Sequence, residues 1–167
     1  MANQTDGYAM DNGWCWTIPL WDSIGKGYVY SSKFCSKDQA EQEFRKHLDW
    51  GGDVEHIKFK HGKRRLGWCQ NVIGIGLSYG FLEPLESTGI LTLLHNSFKA
   101  LEMLSKRDFT YTNVDRDIFN YSVAEEIDFL RGFVEMHYAF SSRDDSEYWR
   151  YVTDEVDYPK TSETEYF

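Results

Sequence analysis

The sequence predicts an α+β fold, with an antiparallel sheet region followed by helices. In the first half of the 167 residues, bulky and small side chains alternate in short runs separated by glycine-containing turns, which is typical of paired strands. In the second half, apolar residues recur every three or four positions, as in amphipathic helices. We therefore expect one unit over residues 1–153, sheet-rich over 13–80 and helical over 88–152, and a loose acidic tail over 154–167.

The predicted elements begin with a hairpin and a helix. Residues 1–12 show no strand or helix pattern. The alternation over 13–21 and over 28–34 indicates two strands joined by a turn. Ser36 is then placed to cap a helix that ends near Leu48.

Short strands fill the predicted middle of the chain. Residues 54–60 and 64–69 indicate a second hairpin. The apolar, glycine-spaced run over 71–78 indicates a further, buried strand, and Pro84 ends this run. The first half is thus predicted to consist of antiparallel strands interrupted by one helix.

The second half is predicted to be helical. One amphipathic helix is indicated by the apolar positions of a single face, which are Leu91, Leu94, Phe98, Leu101 and Leu104. After a polar break, a long helix begins at Val114, with an interruption allowed near Asn120. A last helix begins at Asp145 or Ser146 and carries Trp149.

Composition and charge exclude several classes of function. The net charge of -9 argues against a nucleic-acid partner, and the basic cluster over 58–65 is expected to be a solvated hairpin tip. Cys15, Cys35 and Cys69 are odd in number and lack CxxC spacing, so they indicate neither a disulfide framework nor a zinc site. The sequence has no apolar run of the roughly 20 residues that a membrane span needs and no signal-peptide pattern, which predicts a cytoplasmic protein without a membrane partner.

The connection between the predicted strand and the first long helix concentrates groups that carry chemistry. Glu83, Glu86, Ser87 and Thr88 follow one another within six residues. Ser87 or Thr88 is placed to cap the helix, whose first N–H groups are able to hold an anion. The alternative is that both glutamates are ordinary surface acids.

Three glycines precede this connection, and they require a physical reason because glycine weakens a strand. Gly74, Gly76 and Gly80 are compatible with a flat ligand lying close to the backbone, or with a simple bulge. Their GxGxxxG spacing does not open a helix and is not a dinucleotide fingerprint.

Three motifs resemble one family. Residues 81–90, FLEPLESTGI, are similar to the FxEPLESTxI stretch of flavin-dependent tryptophan halogenases. Residues 14–19, WCWTIP, match the WxWxIP signature of the same enzymes. The pair His137-Tyr138 followed by RDDSEYW over 143–149 resembles their HY…RDDxxFW helix. The resemblance implies part of a flavin monooxygenase-like fold with a helical region.

The resemblance also implies an activity and its residues. In that family, reduced FAD and dioxygen oxidise chloride or bromide to hypohalous acid, which travels through a tunnel to an aromatic substrate. Glu86 matches the glutamate at the substrate end of the tunnel, and Ser87 matches the residue that links the two ends. The backbone amides of Thr88 and Gly89 would face the halide.

A second group of residues is implied to lie near the flavin. Trp14 and Trp16 match tryptophans thought to keep substrates away from it, and core packing is the compatible alternative. The other positions implied to be flavin-proximal are Ile18, Pro19, Gly74, Gly76 and Gly80. The five histidines show no metal-ligand spacing, so no metal is predicted, and His137 is expected to be a satisfied core histidine.

Two family features are not found in this sequence: the GxGxxG flavin fingerprint and the lysine that follows it. We therefore expect this chain alone to bind flavin weakly, and we expect an exposed apolar face. The implied partners are an aromatic, tryptophan- or indole-like substrate, a flavin reductase and a complementary flavin-binding polypeptide. The alternative is a non-catalytic remnant or interaction protein that retains the halogenase core without binding flavin.

Overall fold

The computed structural model describes residues 4–49 and 51–156, and it confirms the α+β class. Contacts within the chain separate two compact units. The first joins the chain up to Ile57 with the segment that starts at Tyr138, and the second comprises Lys58–His137. The sequence predicts one unit over 1–153, whereas the contacts divide that range in two. Of the expected tail, residues 157–167 lie outside the described part of the chain.

The first unit contains a three-stranded antiparallel sheet. Its strands are β1 (Asp6–Met10), β2 (Gly13–Pro19) and β3 (Ile24–Tyr30), in the order β1-β2-β3. The predicted hairpin corresponds to β2 and β3 and is confirmed, but its second strand lies at Ile24–Tyr30 and not over 28–34, so most of the predicted turn belongs to β3. The expectation that residues 1–12 form no strand is wrong. Most of β1 is exposed, so it is held by backbone pairing to β2 and carries no alternation of buried side chains.

Helix α1 (Lys37–Leu48) is confirmed together with its cap. The Gln39 amide donates to the Ser36 hydroxyl at 3.3 Å, and the Ser36 amide donates to the Gln39 side chain at 2.9 Å. This reciprocal arrangement satisfies donors that otherwise have no partner at a helix N-terminus. Phe44 of α1 packs with Met10 and Cys15 of the sheet in a buried cluster.

The last predicted helix is also confirmed. Helix α4 (Glu147–Arg150) is capped by the Ser146 hydroxyl and continues into a π-helical turn, Tyr151–Glu155. Trp149 is buried, and its indole N–H donates to the Met10 carbonyl at 2.6 Å. Arg143 donates to the Ala9 and Met10 carbonyls, so this segment is tied to β1.

The predicted second hairpin in the middle of the chain is wrong. The second unit has instead two pairs of two-residue strands. They are β4 (Gly62–Lys63) with β7 (Gly80–Phe81), and β5 (Trp68–Cys69) with β6 (Val72–Ile73).

The long strand predicted over 71–78 is also wrong beyond its β6 residues. A 3-10 turn, Gly76–Ser78, interrupts it. The Ile75 amide donates to the Ser78 hydroxyl at 2.8 Å, and Gly76 has a φ of 59° that favours glycine. A local side-chain bond and a left-handed residue therefore replace the sheet pairing.

The two long helices of the sequence prediction are confirmed as α2 (Thr88–Ser105) and α3 (Asn113–Ala139). Helix α3 is continuous at Asn120, where an interruption was allowed. The Asn120 side chain accepts from the Trp68 amide at 2.6 Å and donates to the Trp68 carbonyl at 2.9 Å. Trp68 and Tyr79 pack with Phe119 and Val123 of α3 in the main core of this unit. The Asn120 side chain thus hydrogen-bonds the backbone of β5, while α3 continues through this residue without a break.

The predicted face of α2 is exposed in this structure except at Leu104, which packs against the main core of the second unit. Leu94, Phe98 and Leu101 are 49%, 68% and 58% exposed. The residues of α2 that are buried form the opposite stripe, which consists of Thr88, Thr92, Asn96 and Ala100. The amphipathic period predicts the helix correctly, but the polar stripe faces the core. Among the described residues, no helix combines the length and the apolar character needed to cross a bilayer.

Candidate active-site loop

The loop before α2 contains one of the two places in the second unit where successive non-glycine residues have a positive φ; the other is Asp108 and Phe109. Glu86 has φ 55° and ψ 19°, and Ser87 has φ 56° and ψ 26°, so two successive non-glycine residues are left-handed. An L-residue in this region costs roughly 1–2 kcal/mol. Such strain persists where the surrounding structure imposes it, and it is concentrated at functional sites. The strain is compatible with a functional loop, but Asp108 and Phe109 share it, so the family motif is what distinguishes this loop.

Ser87 does not cap α2 as predicted. It occupies the position before the helix, but its hydroxyl makes no capping hydrogen bond. A capping residue normally has extended backbone, which directs its oxygen to the helix amides, and the left-handed backbone of Ser87 does not. The alternative cap, Thr88, is the first helical residue, and its hydroxyl lies 3.4 Å from the Leu85 carbonyl.

The backbone amides at this point follow a change in backbone handedness, and two of them already donate within the chain. Ser87 is left-handed and Thr88 is right-handed with a φ of -54°, and such an alternation turns successive N–H groups toward one concave point. The Ser87 amide donates to the Pro84 carbonyl at 3.2 Å, and the Thr88 amide donates to the Leu85 carbonyl. A halide at Thr88 and Gly89 would have to share or replace the Thr88 bond.

Glu86 lies beside a histidine that the sequence did not connect with it. One oxygen of Glu86, Oε1, is 3.9 Å from Nε2 of His137, and the two side chains are 57% and 38% exposed. The expectation that His137 is a core histidine is therefore wrong. His137 and Glu86 are 51 residues apart, so no spacing rule predicts that they meet. The one hint in the sequence that His137 belongs to the site is its place in the third matched motif.

The first unit positions the tryptophans that were predicted to lie near the flavin. Trp16 on β2 is paired with Gly27 on β3. A Cβ added to Gly27 would lie 2.4 Å from the Trp16 ring, and one added to Gly25 would lie 3.3 Å from it. The indole therefore lies flat across β3 at two glycines. Sequence reasoning missed the reason for these glycines, which had been assigned to a turn.

The other positions predicted near the flavin are distributed over both units. Trp14, Ile18 and Pro19 lie on β2 and are half-buried. In the second unit, a Cβ on Gly76 would lie 3.0 Å from Leu93, and one on Gly80 would lie 3.1 Å from the Gly62 carbonyl. A Cβ on Gly74 would make an ordinary 3.4 Å contact with the Ser78 carbonyl. Packing within the chain thus accounts for Gly76 and Gly80, and proximity to flavin stays a prediction for all six positions.

Within the described ranges, no three His, Cys, Asp or Glu side chains are grouped so that they could hold a metal ion. The three cysteines are free, and Cys15 and Cys35 are buried. Burial raises the pKa of both thiols, which keeps them protonated and unreactive at neutral pH. The chemistry available at the loop is therefore that of a carboxylate, an imidazole and backbone amides.

Comparison with known proteins agrees with the motifs. The chain is 40% identical over 151 residues to a 7-chloro-L-tryptophan 6-halogenase and, equally, to a tryptophan 7-halogenase, both from Kutzneria sp.; each match covers 87% of this chain and 28% of the relative. The solved apo structure of VirX1 is 50% identical, with a TM-score of 0.89 over 92% of this chain and 30% of that one. The chain thus spans about 28% of the curated relatives it matches. The sequence model of the family described as "Tryptophan halogenase" matches residues 1–166, and the chain belongs to that family.

Proposed function

We propose that this chain supplies the halide-facing and substrate-facing loop of a flavin-dependent halogenase that acts on an aromatic, tryptophan- or indole-like substrate. The observation that carries the proposal is the pair of left-handed residues, Glu86 and Ser87, immediately before α2. This backbone presents a carboxylate and a group of amides from one short loop. Relatives named as tryptophan halogenases share the family, and this chain matches 28% of their length.

The halide is proposed to bind at the amides of Thr88 and Gly89. The N–H groups at the start of a helix attract an anion through their partial positive charge. The opposite-handed backbone at Ser87 and Thr88 adds a concave arrangement of amides. The Thr88 amide already donates to Leu85, which favours a weakly held, exchangeable halide.

Glu86 is proposed to act at the arene end of the loop. Its carboxylate is exposed in this chain and free to approach a substrate. Electrophilic halogenation leaves a proton on the substituted carbon, and an ionised carboxylate within hydrogen-bond reach is able to remove it. Ser87 then connects the Glu86 side chain with the amide site, as the family resemblance implies.

Two glycines predicted near the flavin, Gly76 and Gly80, are packed within the chain, and the sequence lacks the GxGxxG flavin fingerprint. We therefore assign flavin binding to a complementary polypeptide segment carrying that fingerprint, and supply of reduced FAD to a flavin reductase. When bound, the flavin supplies the oxidation of chloride or bromide. Trp14 and Trp16 are proposed to lie near it together with Ile18 and Pro19.

Reconstitution tests this proposal. The chain is mixed with a flavin-binding polypeptide that carries GxGxxG, a flavin reductase, FAD, bromide and tryptophan, and the brominated product is measured by mass spectrometry. Because a positioned acid or base contributes about 10²- to 10⁴-fold, we expect Glu86→Gln to lower the rate at least 100-fold. The exposed residue Glu125 on α3 provides the control, since Glu125→Gln changes no proposed group. An assembled, flavin-loaded mixture without product, or a Glu86→Gln variant at the wild-type rate, would contradict the proposal.

The exposed face of α2 favours a second candidate function, an interaction protein. Leu94, Phe98 and Leu101 form an apolar surface that single scattered residues would not produce. Under this alternative, the chain binds another protein through α2, and no halogenation accompanies binding. Replacing Phe98 with Ser would abolish association, and Glu86→Gln would change nothing. Under the halogenase proposal, Glu86→Gln lowers product formation.

A further inference from the structure

His137 is a residue to which the proposed function assigns no role. It lies near the C-terminal end of α3, and its Nε2 faces Oε1 of Glu86 at 3.9 Å. A histidine that only filled space would be surrounded by apolar side chains. This one instead shares an open edge with the carboxylate proposed to act on the substrate.

The orientation of the ring is determined by α3 itself. Nδ1 of His137 lies 2.9 Å from the carbonyl oxygen of Phe133, one helical turn earlier. A carbonyl oxygen only accepts, so Nδ1 carries a proton and donates it. The imidazole also packs edge-on against the Phe133 ring, with centroids 5.0 Å apart and an interplanar angle of 84°. The ring plane is therefore fixed, Nδ1 is engaged by α3, and the nitrogen directed at Glu86 is Nε2.

We propose that His137 is a positioning residue for Glu86, a role that rests on the proposed function of that carboxylate. The carboxylate of Glu86 only accepts, so this hydrogen bond requires a proton on Nε2 in addition to the one on Nδ1. A movement of about 1 Å brings the pair from its present separation to hydrogen-bond distance. Such contacts are often long before a substrate binds.

The backbone and His137 hold opposite ends of the same side chain. The left-handed backbone of Glu86 determines where its Cβ points, and a hydrogen bond from Nε2 of His137 would determine where its carboxylate ends. Once the hydrogen bond forms, both ends of the side chain are restrained, and the carboxylate keeps one orientation toward the substrate. Because a misplacement of 1 Å costs a large factor in rate, this restraint has a measurable effect on turnover.

The first experiment needs only this chain. Three-bond couplings measure the rotamer populations of Glu86 in the wild type, in His137→Phe, which keeps the ring and loses both nitrogens, and in His137→Gln, which keeps a donor. We expect one dominant rotamer in the wild type and in His137→Gln, and averaging in His137→Phe. Glu125 is the exposed control, and its populations should be the same in all three proteins. An unchanged Glu86 distribution in His137→Phe would overturn the proposal.

The second experiment is a double-mutant cycle in the reconstituted enzyme. We expect His137→Phe to lower kcat about tenfold without changing the KM for bromide, and His137→Gln to retain most of kcat. In the Glu86→Gln background, His137→Phe should cause no further loss, because its effect passes through Glu86. Equal losses in both backgrounds would show that His137 acts independently and would overturn the proposal. If the wild-type mixture is inactive, the halogenase function itself fails, and the rotamer measurement still decides the role of His137.

Discussion

Helices α1 and α2 both follow a serine, yet their N-termini are built in opposite ways. Ser36 has extended backbone, and it exchanges hydrogen bonds with Gln39. Ser87 is left-handed, and its side chain makes no capping bond. In α1, a free amide of the first turn is satisfied by the capping serine, which stabilises the helix. In α2, the serine side chain satisfies no amide, and the backbone before the helix is strained. Unsatisfied amides and local strain are both compatible with a binding loop.

Helix α3, in the second unit, also has a closed start, by which we mean a helix N-terminus with a reciprocal side-chain cap; the uncapped N-terminus of α2 is called open. Thr112, the residue before α3, donates its amide to the Asp115 carboxylate at 2.8 Å. In return, the Asp115 amide donates to the Thr112 hydroxyl at 3.3 Å. The open start of α2 thus occurs in the same unit as a closed one. The difference follows from the local sequence and not from the unit in which the helix lies.

Halide binding provides the largest expected contrast at the start of α2. Gly89→Pro removes one N–H in the first turn, where proline is compatible with a helix, and Gly89→Ala keeps it. The added Cβ would lie 3.7 Å from the Phe81 ring, an ordinary contact, so the alanine variant should be undisturbed. We expect at least a tenfold loss of chloride binding for proline and little change for alanine, measured by ³⁵Cl line broadening.

Circular dichroism provides the control for this pair, because both variants should have the wild-type helix content. If Gly89→Pro and Gly89→Ala bind chloride equally, the Gly89 amide does not face the halide. The proposed anion site would then have to be removed from the start of α2.

Removing the serine before each helix should affect the stability of α1 more than that of α2. Ser36→Ala removes a formed cap and should cost about 1 kcal/mol, whereas Ser87→Ala removes no capping bond and should cost less than about 0.3 kcal/mol. Amide hydrogen exchange in the first turns of α1 and α2 measures the two effects separately. A loss of protection in α2 as large as that in α1 would mean that Ser87 does cap its helix.

The sequence contains the signal for a closed helix start, but it predicts the open start of α2 only in part. Ser36 is followed by Gln39 at the spacing of a capping box, while Ser87 is followed by Ile90, which cannot complete one. The left-handed backbone of Glu86 has no such signal, since glutamate is not selected for that region. Only the family motif indicated that this loop was special.

Two other errors have a common physical cause, which is contact between residues distant in sequence. Strand β4 pairs with β7 across the intervening hairpin, so no local turn signal predicts it. The buried face of α2 is polar, because tertiary packing and not the amphipathic period selects which stripe is covered. In contrast, α1, α3 and α4 were predicted correctly because caps and periodicity are local.

Lowering the pH should weaken the cap of α3, which contains a carboxylate, and leave the neutral cap of α1 unchanged. Hydrogen bonds from the Thr112 side chain and amide, with the charge of Arg107, hold the pKa of Asp115 below its usual value. A carboxyl group with a lowered folded-state pKa contributes stability that is present above its unfolded value near pH 4 and is lost as the pH falls through the folded value. The first turn of α3 should therefore lose amide protection on acidification, while the neutral Ser36–Gln39 box should retain it. Asp115→Asn keeps an acceptor and should remove the dependence, so a persistent acid transition at Thr112 in that variant would assign it to another group.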